Sequence, residues 1–241
     1  MTVLRDLRYG VRLLIRNPGF AAAALGVLAL GVGASTAVFS VMRVVLLAPL
    51  PYRDASRLVL FRADLPGYDH APWLTPQEYF ALRDRPDLFG SIALFNTSEA
   101  NFTDPDVMAP GSAASVSDNF FSTLGVGMLL GRPVTEDDFR RSDGDVSAVD
   151  LGYDAWQRDF RGDPHIIGRT ISVNNMPVRV VGVLPRDFRL YLGPGLTLPP
   201  RVDVWFPRGR GYLEDPARDN NVIARLVDHT SLASTRAVLS V

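Results

Sequence analysis

An uncharged run of residues from Gly19 to Met42 constrains this chain more than any other feature of its sequence. At a rise of 1.5 Å per residue, a helix of about 24 residues spans roughly 36 Å, whereas the hydrocarbon core of a bilayer is about 30 Å thick. A buried helix of a soluble domain is seldom apolar on every side over this length. The sequence therefore predicts a transmembrane helix in residues 18–48, followed by a water-soluble domain in residues 49–241.

Arginine is in excess on the N-terminal side of this run, where only Asp6 opposes it. The positive-inside rule then predicts a cytoplasmic N-terminus, an inner-membrane location and a periplasmic main domain. A cleaved signal peptide is the alternative, because Ser35-Thr36-Ala37 offers small residues for cleavage. The apolar stretch is long for the hydrophobic region of such a peptide, so we favour the retained helix.

Residues 1–17 are expected to form a cytoplasmic amphipathic helix that ends at Asn17-Pro18-Gly19. Its apolar positions would share one face between residues 3 and 15, and its basic positions would meet lipid headgroups or a partner protein. The candidate residues for this cytoplasmic interface are Arg5, Arg8, Arg12 and Arg16.

Small residues recur along the apolar helix. Ala29, Gly33 and Ala37 repeat every four residues, with Gly31 and Ser35 nearby. Rows of this kind let a second helix approach closely in lipid, although alanine and glycine are also simply tolerated in membrane helices. We expect this row to contact partner helices, either further permease helices or a second copy of the chain.

The remainder of the chain mixes short predicted strands with short predicted helices, which indicates an α+β domain. Thr75-Pro76-Gln77-Glu78 has the composition of a helix start, with threonine as cap, proline at the first position and glutamate three residues after the cap. Asn174-Asn175 separates two apolar stretches and predicts a β-hairpin. Further helices are expected over residues 117–124, 153–160 and from 232 onward, and strands over 57–61, 91–95, 170–173, 178–183, 202–206 and 222–227.

The composition excludes several kinds of chemistry. The chain has no cysteine, and its basic residues are all arginine, so these residues cannot form a P-loop lysine site or a thiolate site. Its 25 basic and 26 acidic residues leave no basic surface for nucleic acid. The histidines His70, His165 and His229 lie far apart in sequence, without the spacing of a metal site. The acids Glu136-Asp137-Asp138 follow Thr135, a pattern typical of the capped N-terminus of a helix rather than of a cation site. We therefore expect no catalytic residues, no metal and no cofactor.

Several segments, taken in order, carry a family resemblance. In the N-terminal part they are Leu7-Arg8-Tyr9, Asn17-Pro18-Gly19-Phe20, Leu28-Ala29-Leu30-Gly31-Val32-Gly33-Ala34-Ser35-Thr36-Ala37-Val38-Phe39-Ser40-Val41 and Leu46-Leu47-Ala48-Pro49-Leu50-Pro51-Tyr52. In the soluble part they are Val116-Ser117-Asp118-Asn119-Phe120-Phe121, Leu124-Gly125-Val126, Gly131-Arg132, Trp156-Gln157-Arg158-Asp159-Phe160, Ile167-Gly168-Arg169-Thr170, Val180-Val181-Gly182-Val183-Leu184-Pro185, Phe188 and Asp203-Val204-Trp205-Phe206-Pro207.

In this order the segments resemble the N-terminal half of MacB/FtsX-type ABC transporter permeases, in the subfamily that consists of the permease alone. The resemblance implies a first membrane span, a MacB-like periplasmic core domain and three later spans. It also implies a separate cytoplasmic ATPase that drives motion of the periplasmic domain, for efflux or for mechanical signalling across the envelope. A periplasmic adaptor is a further partner that it leaves open.

Three departures from the family pattern accompany this resemblance. The later spans are not in these residues, so we expect an incomplete permease. In the predicted hairpin, Asn174-Asn175 replaces a more usual Asn-Gly. Near the end of these residues, Asp228-His229-Thr230-Ser231 replaces a more usual Pro-Gly turn. Two other hypotheses remain. The first is a membrane-anchored periplasmic enzyme, and the second is an adaptor-binding module, which exposed Trp73, Trp156 or Trp205 would favour. The resemblance instead implies that Trp156 and Trp205 lie in the core.

Overall fold

The computed structural model describes residues 16–46, 52–61, 63–65, 68–71, 74–104, 107–139, 148–190, 201–209, 220–228, 230 and 235. The chain divides into two compact units, Met1–Pro49 and Leu50–Val241. The first unit contains one described helix, and the second contains all of the described strands. The predicted amphipathic helix of residues 3–15, Trp73 and, apart from Thr235, the final helix predicted from residue 232 lie outside the described residues.

Helix α1 runs from Pro18 to Leu46. Proline suits its first position, because the amide that proline lacks has no partner there in any helix. Within α1, the 23 residues Pro18–Ser40 contain an 18-residue window with a mean hydropathy of 1.9, and the helix is long and apolar enough to cross a membrane. The one side-chain hydrogen bond recorded in this stretch joins the Thr36 hydroxyl to the Val32 carbonyl at 2.7 Å, so that hydroxyl is satisfied within the helix.

The second unit is a mixed α/β fold, as the sequence predicts. Its helices are α2 (Pro76–Arg83), α3 (Phe120–Leu124) and α4 (Tyr153–Phe160), with 3-10 turns at Ala55–Arg57 and Glu136–Asp138. Its strands are β1 (Leu58–Leu60), β2 (Ala63–Leu65), β3 (Tyr68–Ala71), β4 (Phe89–Asp104), β5 (Val107–Val116), β6 (Leu130–Gly131), β7 (Ala148–Leu151), β8 (Thr170–Val173), β9 (Met176–Val183), β10 (Val204–Pro207) and β11 (Asn221–Leu226).

Six of these strands form a closed ring. Strand β4 pairs with β5, β5 with β10, β10 with β7, β7 with β9, β9 with β8, and β8 again with β4. The β5–β10 and β7–β9 pairs are parallel, and the others in the ring are antiparallel. The sheet continues beyond the ring through β11 and β1 on the side of β4, and through β6 on the side of β9.

The β8–β9 hairpin closes the ring. Asn174 and Asn175 form its turn with φ of 53° and 62°, the left-handed values that asparagine tolerates better than other side chains. The Asn174 amide N–H donates to the Asn101 carbonyl, and the Asn101 N–H donates to Asn174 Oδ1, both at 2.8 Å. The Asn175 N–H donates to Thr103 Oγ1 at 2.9 Å. The turn therefore supplies polar contacts that the single Phe102–Val173 pair could not supply alone.

Three apolar clusters hold the unit together. The first takes residues from all six strands of the ring and from α4, including Phe102, Trp156 and Phe160. The second lies on the opposite sheet face, beneath α3, around Trp205 and Phe120. The third joins α2 to β4 and β11 through residues such as Tyr79, Leu82, Leu94, Val222 and Leu226.

The structure confirms several local predictions. Thr75 forms the predicted capping box with Glu78, Gly125 ends α3 with φ of 73°, and Asn174-Asn175 forms the hairpin turn. Trp156 and Trp205 are buried, as the resemblance implied. The strand expected at residues 91–95 is longer, at Phe89–Asp104, and β5 was not predicted at all.

Candidate functional site

The predicted helix-packing residues all lie on α1 and are exposed. Ala29, Gly33 and Ala37 follow one another four residues apart and share a face. Gly31 and Ser35 are each two residues from Gly33, which places them about 200° around the helix, so they form a second row on nearly the opposite side. A Cβ added at Gly33 would meet no described atom within 4 Å.

Of the predicted cytoplasmic interface residues, only Arg16 falls within the described residues, where it is exposed. Arg5, Arg8 and Arg12 lie outside them. The interface therefore stays a prediction from sequence.

Within the described residues, no group of three or more histidine, cysteine, aspartate or glutamate side chains could hold a metal ion. His70 lies in β3, and the His165 N–H donates to Asp163 Oδ1 at 2.9 Å in the loop after α4. The third histidine, His229, is outside the described residues.

Asp150 is a fully buried carboxyl group in the middle of the sheet. Its neighbours Val149 and Leu151 point into the cluster inside the ring, so its own side chain points the other way, where Oδ2 accepts the Val134 N–H at 2.8 Å. Its Oδ1 has no hydrogen-bond partner among the described groups. Burial raises the pKa of Asp150 to about 7, the Val134 N–H opposes this, and the negative charge of Asp138 adds to it.

Gly182 makes room for this carboxyl. The β7–β9 register shifts so that Asp150 lies opposite Gly182, where an added Cβ would be 2.4 Å from Asp150 Oδ1 and 2.4 Å from the Arg132 carbonyl oxygen. The Arg132 carbonyl oxygen could avoid such a side chain only by movement of the backbone. This site could not be predicted from the sequence, because a lone acid in a four-residue strand also fits an exposed position.

A cleft of about 740 Å³ lies beside α2 and the start of β4. Tyr79, Phe80 and Arg83 of α2 border it, and the Arg83 guanidinium carbon lies 4.7 Å from the centre of the Phe80 ring. Its other lining residues include Gly90, Ser91 and Ile92 of β4, Ser117, Asp118 and Asn119 after β5, Glu136, and Arg208.

The segment after β5 continues the β4 ladder with side chains. The Ser117 N–H donates to the Leu94 carbonyl at 3.0 Å, and Ser117 Oγ accepts the Leu94 N–H at 3.0 Å. One residue pair further along, Asn119 Nδ2 donates to the Ile92 carbonyl at 2.6 Å. These contacts give a structural role to Ser117 and Asn119 of the sequence motif that precedes α3.

An α+β unit with a closed strand ring, preceded in the chain by a helix long and apolar enough to cross a membrane, defines a domain of mixed α/β class with one candidate membrane span among the described residues. Residues 21–240 match the family model of the MacB-like periplasmic core domain, and the chain belongs to that family. It is 34% identical over 137 residues to the macrolide export ATP-binding/permease protein MacB 1 of Yersinia pestis bv. Antiqua (strain Antiqua) and to MacB 2 of strain Nepal516. That alignment covers 54% of this chain but only 19% of each relative.

Solved structures support the same fold. The periplasmic region of MacB from Actinobacillus actinomycetemcomitans is similar with a TM-score of 0.55 and 16% identity, over 76% of this chain and 79% of that one. The extracellular domain of the noncanonic ABC-type transporter YknZ from Gram-positive bacteria is similar with a TM-score of 0.51 and 15% identity, over 74% of this chain and 86% of that one. The recognition of the family from sequence is therefore confirmed, and with it the mixed α/β fold.

Proposed function

We propose that this chain is a non-catalytic permease subunit, or part of one, of an ABC transporter of the inner membrane. Family membership over residues 21–240 is the observation that carries the proposal. Helix α1 would anchor the chain, and the α+β unit would move in the periplasm while a separate cytoplasmic ATPase binds and hydrolyses ATP. No P-loop can lie within these 241 residues, because a P-loop needs its lysine and they contain none.

Coupling of this kind requires that ATP binding favour one arrangement of the permease over another. The ATP sites would be on the ATPase, and the moving unit would be residues 50–241. Helix α1, together with further permease helices or a second copy of the chain, would connect the ATPase to this unit through the bilayer. Export of a cargo and mechanical signalling across the envelope would both use this motion. An adaptor in the periplasm would be a third partner.

The proposal is tested by spin labelling, for which a chain without cysteine is a clean background. Met108 on β5 is 84% exposed, so a Met108→Cys variant can carry a label without disturbing the core. The variant is purified with the ATPase that its host membrane supplies, and distances between the labels on two copies of the chain in the complex are measured by pulsed electron paramagnetic resonance with and without trapped ATP.

We expect co-purification of an ATPase and a distance distribution that changes when ATP is trapped. A labelled variant whose ATPase cannot hydrolyse ATP but still binds it should stay in the ATP-bound distribution. Recovery of no ATPase from intact membranes, or identical distributions in both states, would contradict the proposal.

A further inference from the structure

We propose that the cleft beside α2 binds an extended segment of another polypeptide, which adds to the free edge of β4. This inference rests on the geometry of the cleft and does not depend on the transport role. It follows from the position at which β5 stops pairing with β4, and from the side chains that contact the edge of β4 beyond that position.

The pairing pattern shows to which side of β4 the backbone N–H and carbonyl of Ile92 point. The Leu94 N–H and carbonyl face the β5 side, since both bond to Ser117. In an antiparallel ladder alternate residues bond on the same side, so Ile92 also faces the β5 side, away from β11. Strand β5 ends at Val116 and the chain turns into α3, so no described strand lies beside Ile92 on the β5 side.

The backbone hydrogen-bonding groups at this edge of β4 are only partly paired. The Asn119 side chain binds the Ile92 carbonyl, whereas no described residue accepts a hydrogen bond from the Ile92 N–H. Gly90, two residues earlier on the same strand, is exposed. Both residues line the cleft, so the backbone there is open to an incoming strand.

The walls of the cleft suit a peptide rather than a polyanion or a membrane surface. Arginines at 83 and 208 are balanced by carboxylates at 118 and 136, which leaves no net charge to attract phosphate. Tyr79 and Phe80 supply an aromatic wall on one side for an apolar side chain. Backbone pairing for affinity and alternate side-chain pockets for selection are the features of strand addition.

Gly90 allows the cleft to be blocked without disturbing the fold. An added Cβ at Gly90 would lie 3.8 Å from the Arg225 carbonyl oxygen and 3.8 Å from Val227 Cγ1, which is ordinary van der Waals contact. Gly90→Leu should therefore fold and fill the cleft. Gly127→Leu is the matched control, because a Cβ there meets nothing within 4 Å and Gly127 does not line the cleft.

The test uses the full chain in lipid nanodiscs and a phage-displayed pool of random heptapeptides. We expect enrichment of peptides that bind the wild-type chain and the Gly127→Leu variant within twofold of each other, but the Gly90→Leu variant at least tenfold more weakly. N-methylation of a selected peptide should weaken binding at least tenfold at alternate positions only, since a paired strand bonds through every second N–H. Unchanged melting temperatures of both variants would establish that each is folded.

Three results would overturn the proposal. The first is no enrichment on the wild-type chain relative to Gly90→Leu, and the second is N-methylation that has the same effect at every position. The third is a wild-type chain that binds no peptide and self-associates, while Gly90→Leu is monomeric. The occupant of the cleft would then be a second copy of this chain.

Discussion

At the scale of single residues, Asp150 is the group whose chemistry departs most from that of a surface side chain. Its carboxyl is buried with one hydrogen bond, from the Val134 N–H, and it lies near the Arg132–Asp138 ion pair. Its pKa is about 7 in the folded chain, whereas an aspartate in an unfolded chain titrates near 3.9. The folded state therefore binds a proton more tightly than the unfolded state between these two values.

This difference predicts a stability that falls as pH rises. Below about pH 4 both states are protonated at Asp150, and the group has no effect on the free energy of unfolding. Between about pH 4 and 7 the unfolded state loses its proton first, so stability decreases, by at most about 4 kcal/mol for a shift of about three pH units. Above pH 7 the loss is complete and constant.

Asp150→Asn removes this titration. We expect the variant to be more stable than the wild-type chain above pH 8, with the difference shrinking toward pH 4, as measured by urea unfolding across this range. Asp138→Asn should instead be less stable than the wild-type chain above about pH 4, with the difference shrinking only as pH falls below that value. Burial raises the Asp138 pKa, but hydrogen bonds from Arg132 and Thr135 outweigh this and hold it below its usual value. If the free energies of unfolding of the wild-type chain and Asp150→Asn differ by a constant amount from pH 4 to 8, the raised pKa of Asp150 is contradicted.

At the scale of elements, the β8–β9 hairpin shows what sequence could and could not predict. Asn174-Asn175 between apolar stretches was sufficient to predict the turn, because turn chemistry is local. The sequence did not reveal that the Asn174 side chain also bonds to β4 and so closes the ring. That contact joins residues 73 positions apart, and no local pattern encodes it.

Strand β5 was missed for a related reason. Its residues include Pro110 and Gly111, which are depleted in strands, and several small residues of low strand propensity. Pairing with β4 at ten positions and with β10 along its second half overrides this propensity. The capping box at Thr75, in contrast, needs contacts only within one helical turn, and it was predicted correctly.

The two asparagines of the hairpin should respond differently to substitution. Asn175→Gly removes a side chain from a residue with φ of 62° and keeps its N–H bond to Thr103, so we expect stabilisation of about 0.5 kcal/mol. Asn174→Gly relieves similar strain but loses the bond from the Asn101 N–H, so we expect a net loss of about 1 kcal/mol. Chemical unfolding of both variants measures the difference, and equal effects would show that the Asn174 side chain does not help to close the ring.

Helix α1 offers a second test at this scale. If the row of Ala29, Gly33 and Ala37 contacts another helix, Gly33→Leu should reduce the recovered complex roughly tenfold, or about 1.4 kcal/mol. A Cβ at Gly33 meets no described atom within 4 Å, so such a loss would not come from a clash within the described part of the chain. Native gels of mildly solubilised membranes would measure the complex.

Ala34→Leu is the control for this substitution, since it also introduces a leucine, at nearly the same depth and about 100° around the helix. It should leave the complex within twofold of wild type. Equal losses from both variants would mean that the row has no special role.

At the scale of the whole molecule, the absence of cysteine makes the proposed topology directly testable. The arginines before α1 predict a cytoplasmic N-terminus, and residues 50–241 would then lie in the periplasm. A membrane-impermeant maleimide should label Met108→Cys in intact spheroplasts, because residue 108 is exposed in the folded unit. It should label Thr2→Cys only after the inner membrane is permeabilised.

The same pair of variants separates a retained helix from a cleaved signal peptide. Cleavage near residue 37 would remove Thr2→Cys from the mature chain and release the Met108→Cys product into the periplasmic fraction at a lower mass. Retention keeps both cysteines in one membrane-bound chain of full length. A conformational change caused by ATP binding in the cytoplasm can be transmitted to residues 50–241 only through a continuous membrane span. Release of the labelled unit would therefore also remove the physical basis of the proposed coupling.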